Sequence, residues 1–255
     1  MHTLSTCPTR HPGHGRLLLV AAALFGFYQL PQAAGNPYLM LLFPPVAWLG
    51  SRVLGFRGMR AWYLDARPGW LRLLVLGLGL AMVAKFAAFA VGKHTGVYEL
   101  SWPGAVVGFD LGRALAFLAI STFIASAAED ILTRGLVMRA FPRLGRHRVF
   151  ILLSASLYVL NHIHRLQNGP AEWLMLFCFG LAYATALWRT GTLWAAVGLH
   201  WGWNLAGGSL DIVTRSVVLA PELAPFYSSG AHLVLLLTVL AMMRPLNSDK
   251  AKVVC

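Results

Sequence analysis

The chain has 255 residues, 58% hydrophobic and 12% charged, with 21 Lys and Arg against 9 Asp and Glu, and its mean hydropathy is +0.64. A globule of this size cannot screen so much apolar surface with so few polar groups, which excludes a soluble domain and points to a polytopic membrane protein. The hydrophobic content also excludes intrinsic disorder, three scattered cysteines (Cys7, Cys178, Cys255) exclude a disulfide scaffold, and the net charge of +12 has no soluble basic domain to carry it to nucleic acid.

A helix needs about 20 apolar residues to cross ~30 Å of hydrocarbon. Eight segments qualify as candidates, at 17–34, 37–55, 72–92, 111–138, 148–164, 171–188, 191–208 and 230–245. The expected fold is therefore an all-α, polytopic membrane helical bundle of about eight transmembrane helices, a single integral membrane domain over residues 1–255. The first segment also resembles a signal-peptide core, but Pro31-Gln32-Ala33-Ala34-Gly35 makes a poor cleavage site, so a retained span is expected. Pro44 and Pro45 interrupt the second, which neighbouring helices can tolerate. Residues 56–71 mix Arg with Trp and Tyr and read as an interfacial connector with its aromatics at the headgroup level. Residues 93–110, with Trp102, Pro103 and Gly104, form the main external loop. With both termini cytoplasmic, 15 Lys and Arg fall inside and 4 outside, as the positive-inside rule requires. The setting expected is a bacterial inner (plasma) membrane.

Ionisable residues inside apolar helices are functional candidates by default, because a charge near the bilayer centre costs at least ~2.5–3.5 kcal/mol. Three groups stand out. In the fourth span, Asp130 and Arg134 are spaced to pair along one helix face, while Glu129 points about 100° away, on a stripe with Ser126 and Thr133. In the fifth, Tyr158 and His162 lie one turn apart. In the seventh, His200 and Asn204 do the same, flanked by Trp201 and Trp203. Taken singly, each group would serve equally as a packing clamp or a buried ion pair.

Depth links them. Glu129 lies 14 residues before Arg143, His162 lies 14 after Arg148, and Asn204 lies 15 after Arg189. At ~1.5 Å per residue these side chains come to one level, about 21 Å from the basic turns. A carboxylate, two imidazoles and a carboxamide at one level can hydrolyse a substrate in two ways. Glu129 can act as general base on water, with His200 and Asn204 donating to an oxyanion. Alternatively the imidazoles bind Zn²⁺ and a carboxylate activates the metal-bound water. Spacing does not choose between them.

The motifs Glu129-Asp130-x-x-x-Arg134, Tyr158-x-x-x-His162 and His200-x-x-x-Asn204, in this order inside hydrophobic helices, resemble the CPBP family. This is the CAAX-protease and bacteriocin-processing group of intramembrane proteases, also called the Abi family. The stretch Gly191 to His200 is similar to the family's lead into the third motif, and the resemblance covers residues 111–208, the expected catalytic core. It implies an intramembrane endopeptidase acting on a membrane-anchored protein or peptide. Glu129 would activate water, His162 would hold that water or a metal, and His200 and Asn204 would complete the site. Asp130, Arg134 and Tyr158 would support it. The metal-dependent form would place Zn²⁺ on Glu129, His162, His200 and Asn204. Two positions depart from the commonest pattern, Asp130 for Glu and Tyr158 for Phe. The shorter Asp130 suits bracing of Arg134 better than metal ligation. A non-catalytic scaffold or bacteriocin-immunity protein on the same fold is the alternative. A transporter would be expected to show repeated halves, and none is visible.

Overall fold

A computed structural model describes residues 13–101 and 109–243. Cys7, Cys255, Trp102, Pro103, Gly104 and the basic residues at 10 and 244–252 lie outside the described residues. The architecture is an all-α bundle. Helices α1 (His14–Ala33), α2 (Phe43–Val53) and α3 (Trp70–His94) are followed by strand β1 (Tyr98–Ser101). Helix α4 (Phe109–Asp130) runs through a π-helical turn (Ile131–Gly135) into α5 (Leu136–Ala140). Then come α6 (Val149–Asn161), α7 (Pro170–Thr190), α8 (Trp194–Val213), strand β2 (Arg215–Val218) and α9 (Ala224–Met242).

Each of the eight apolar segments contains helix. Among the described residues, four helical stretches are both long and apolar enough to cross a membrane: Trp70–His94, Asp110–Ala140, Pro170–Thr190 and Ala224–Met242. The second segment supplies only the 11-residue α2, which starts at its two prolines because a proline in the first turn lacks only an N–H that has no partner there anyway. The fifth supplies the 13-residue α6.

Two features depart from the expectation. First, the chain is not wholly helical. β1 and β2 pair antiparallel, from Tyr98 opposite Val218 to Ser101 opposite Arg215. The ribbon ties the segment after α3 to the segment after α8, and Tyr98 stacks on Phe89 of α3 at 4.9 Å. Second, the aromatics of the 56–71 connector do not all sit at an interface. Trp62 is fully buried and donates its indole N–H to the Ala47 carbonyl at 2.8 Å. Arg139 of α5 reaches over the Phe56 and Tyr63 rings and donates to the Ala61 and Arg60 carbonyls. The Tyr63 carbonyl accepts from the Leu193 N–H and the Thr192 hydroxyl. The connector is thus a strap that ties α2, α5 and the start of α8 together.

Helix α8, which carries His200 and Asn204, is seated by glycine contacts with α3. A Cβ on Gly77 would stand 2.7 Å from the Ala195 carbonyl oxygen, and one on Gly198 or Gly202 would strike the backbone of Leu74 or Leu78. Backbones approach this closely only where side chains are absent, which is how helices pack without a hydrophobic driving force between them. Gly191, at φ +67°, ends α7 in the left-handed conformation and allows the tight turn into α8.

Candidate active site

The site forms where α4, α6, α7 and α8 meet. At the end of α4 the backbone widens into the π turn, and the Leu136 N–H bonds to the Ile131 carbonyl five residues back. The Thr133 hydroxyl donates to the Glu129 carbonyl at 2.7 Å. Ser154 of α6 donates to the Thr133 carbonyl at 2.9 Å, locking the widened turn to its neighbour. Within this segment the two adjacent acids part company. Asp130 forms an ion pair with Arg134, and both side chains are fully buried. Glu129 keeps 14% of its side-chain surface exposed and turns toward His162.

His162 is oriented by the end of its own helix. The last carbonyls of a helix lack intrahelical partners. At the end of α6 the His162 N–H goes to Val159, and the His162 ring Nδ1 meets the Tyr158 carbonyl at 2.8 Å. A carbonyl only accepts, so Nδ1 carries the proton and Nε2 of the neutral ring bears a lone pair. That Nε2 faces Glu129 Oε2 at 3.5 Å.

His200 repeats the logic with a different partner. Its Nδ1 donates to Asp130 Oδ1 at 3.0 Å. Its Nε2 is then an acceptor, 3.3 Å from the Tyr158 hydroxyl and 3.7 Å from Glu129 Oε2. Arg134 lies over the rings of Tyr158 (4.7 Å) and Tyr183 (5.1 Å). Two imidazole lone pairs therefore converge on a carboxylate oxygen that is buried and has no hydrogen-bond partner of its own. The Tyr158 hydroxyl serves His200 Nε2, which leaves His162 Nε2 and Glu129 Oε2 as two facing acceptors that call for a shared donor, and a water molecule is the simplest one.

Six of the seven sequence-derived residues (Glu129, Asp130, Arg134, Tyr158, His162, His200) thus make one contact network. Asn204 stands one turn further along α8 and donates to Ser126 of α4 at 3.1 Å. Among the described residues, no group of three or more His, Cys, Asp or Glu is arranged to hold a metal ion.

Several neighbours carried no sequence signal. Tyr28 of α1 turns its phenol to Glu129 and Asn161. Tyr183 of α7 stacks on His200, and His232 of α9 bonds to Tyr183. Asn161 did carry one, as a carboxamide in an apolar helix beside His162. A cavity of about 720 Å³ opens beside Thr133 and Asn161, walled by apolar residues of α1, α5 and α6 such as Leu17, Phe25, Val137 and Leu160.

Fold and site define an integral membrane helical bundle with a buried acid–imidazole cluster. The comparisons narrow the class. Residues 111–206, which hold all three motifs, match a family model described as Rce1-like, type II CAAX prenyl endopeptidase Rce1-like. This is the CAAX-protease family that the motifs resemble, and it is a family of proteases. No curated protein matches the chain.

Proposed function

We propose that the protein is an intramembrane endopeptidase that hydrolyses a peptide bond of a membrane-anchored protein or peptide, with Glu129 as general base. The observation that carries this reading is the convergence of His162 Nε2 and His200 Nε2 on the unpartnered Glu129 Oε2. A water at their centre donates one hydrogen to Glu129 and the other to His162 Nε2. As its oxygen adds to the scissile carbonyl, Glu129 takes the proton. The negative charge that develops on the carbonyl oxygen needs donors. Asn204 Nδ2 supplies one. His200 supplies the other in the form of its ring that carries a proton on Nε2, with Nδ1 held on Asp130. The tetrahedral intermediate then expels the amine, which receives its proton from Glu129. No step passes through a metal.

The 720 Å³ cavity supports a substrate delivered from the lipid phase, because its walls are mostly apolar and Asn161, next to His162, lines it. A lipidated C-terminus of the CAAX type fits that chemistry. The excess of Lys and Arg in the expected inside segments supports a topology with both termini cytoplasmic.

The test compares peptide termini in membranes of cells expressing wild type or Glu129→Gln at matched levels. New termini present only with wild type are expected, and they name the substrate and the cut. Identical termini, with both proteins inserted and folded, overturn the reading.

A further inference from the structure

Behind His200 the fold buries a second polar pair that water activation does not use. The Tyr183 ring lies nearly parallel to the His200 ring, with centroids 5.0 Å apart and planes at 21°. The Tyr183 hydroxyl meets Nε2 of His232, on α9, at 2.8 Å. His232 is fully buried. It stacks on Phe179 at 3.4 Å and meets the Trp203 ring edge-on at 4.2 Å.

The direction of the bond follows from the far side of the imidazole. His232 Nδ1 lies 2.9 Å from the Ser228 carbonyl. That carbonyl only accepts, so Nδ1 holds the proton and Nε2 of the neutral ring accepts. The Tyr183 hydroxyl therefore donates to His232. Every polar atom of the imidazole is satisfied, and a fully satisfied buried pair specifies one geometry. A leucine at 232 could pack among these rings with no polar group to satisfy. The imidazole adds a fixed point for the tip of Tyr183, whose base is already set by α7.

We propose that Tyr183 and His232 are positioning residues for His200. His232 fixes the plane of Tyr183, and Tyr183 fixes the plane of His200. In that plane Nδ1 stays on Asp130 and Nε2 stays turned to Glu129. His232 lies beyond the segment 111–206 that matches the protease family. The kinetic part of the test rests on the peptidase reading, whereas the spectroscopic part does not.

The spectroscopic arm uses the full chain, ¹⁵N-histidine labelled, in detergent micelles. The His200 ring signals are assigned by their loss in His200→Gln and are followed in Tyr183→Phe, His232→Leu and His232→Gln. In Tyr183→Phe and His232→Leu, the His200 Nδ1–H signal is expected to broaden or split. His232→Gln, whose carboxamide oxygen can accept from Tyr183, is expected to restore a single sharp signal. A His200 signal unchanged in both of the first two variants overturns the proposal. If His232→Leu does not fold, Tyr183→Phe decides alone, since it removes one oxygen and keeps the ring.

The kinetic arm uses an internally quenched peptide spanning the cut found with the Glu129→Gln comparison. For Tyr183→Phe, kcat is expected to fall on the order of 10-fold with KM unchanged, as for a misplaced catalytic group. A wild-type rate in a variant whose His200 signal has moved overturns the role in catalysis. If wild type cleaves nothing, the peptidase reading fails, and the spectroscopic arm still decides the positioning.

Discussion

Replacing Asp130 with Asn should cost far more stability than replacing Glu129 with Gln, although the two acids are neighbours in sequence. Arg134 is fully buried, and among the described residues Asp130 is its ion-pair partner. Nη1 also reaches the Thr133 hydroxyl at 3.0 Å, while Nε and Nη2 have no hydrogen-bond partner. Removing one member of a buried pair typically costs ~3–5 kcal/mol, because the other charge is left buried. The rings of Tyr158 and Tyr183 lie over the guanidinium in both proteins, so their attraction cancels in the difference. A loss of about 3 kcal/mol corresponds to roughly 6–12 °C in Tm for a chain of this size. Glu129 differs because its Oε2 lies buried without a hydrogen-bond partner. Glu129→Gln keeps a side-chain oxygen for the Tyr28 phenol and removes a charge that, among the described residues, no Lys or Arg pairs with, so its Tm should stay within about 3 °C of wild type, a change of ~1 kcal/mol or less. Thermal unfolding of the purified proteins in detergent micelles, followed by tryptophan fluorescence, reads both values. Equal losses in the two variants, or a larger loss in Glu129→Gln, would refute the division of labour between the two acids.

Three further outcomes are expected. Gly198→Ala should lower Tm by an amount equivalent to ~1–3 kcal/mol or more, because the new methyl meets the Leu74 backbone. Gly79→Ala, on the open side of α3, should not lower it, and the same unfolding scan compares them. Tyr158→Phe should reduce kcat by less than about 10-fold with KM unchanged, since it removes one 3.3 Å contact to His200, worth on the order of 1 kcal/mol. Initial rates on the peptide identified by the terminus comparison measure it. Treatment with 1,10-phenanthroline should leave those rates unchanged, and loss of activity restored by added Zn²⁺ would contradict the metal-free mechanism.

Much of the site was legible in the sequence because its geometry is local to helices. The Asp130–Arg134 pair follows from four-residue spacing. Counting residues from the basic turns brings Glu129 and His162 to one level, but it puts Asn204 there with them and His200 a turn short, whereas His200 is the one that faces Glu129 and Asn204 meets Ser126. What could not be read is the lateral packing. Tyr28, Tyr183 and His232 are single polar residues in apolar helices, and nothing in their spacing says which neighbour they meet. The β1–β2 ribbon joins segments more than a hundred residues apart, and neither strand carries enough alternation to announce a partner. Trp62 was expected at the headgroups from its arginine-rich surroundings, but the Ala47 carbonyl captures its indole and draws it inside. The spacing also gave no sign of the π turn at Ile131–Gly135.

That turn acts as a phase shift. A π turn holds one residue more than an α-helical turn, so everything beyond it is rotated relative to an uninterrupted helix. Upstream, Glu129 faces His162 and His200. Downstream, Arg139 sits under the connector strap, bonded to the Ala61 and Arg60 carbonyls. Without the extra residue, one rotational setting would have to serve both ends, and turning α5 by about 100° to correct one would misplace the other. The length of the 131–135 segment is therefore itself under constraint. A single-residue deletion there should do more harm than most substitutions, because it would detune one end of the helix from the other while leaving every side chain chemically intact.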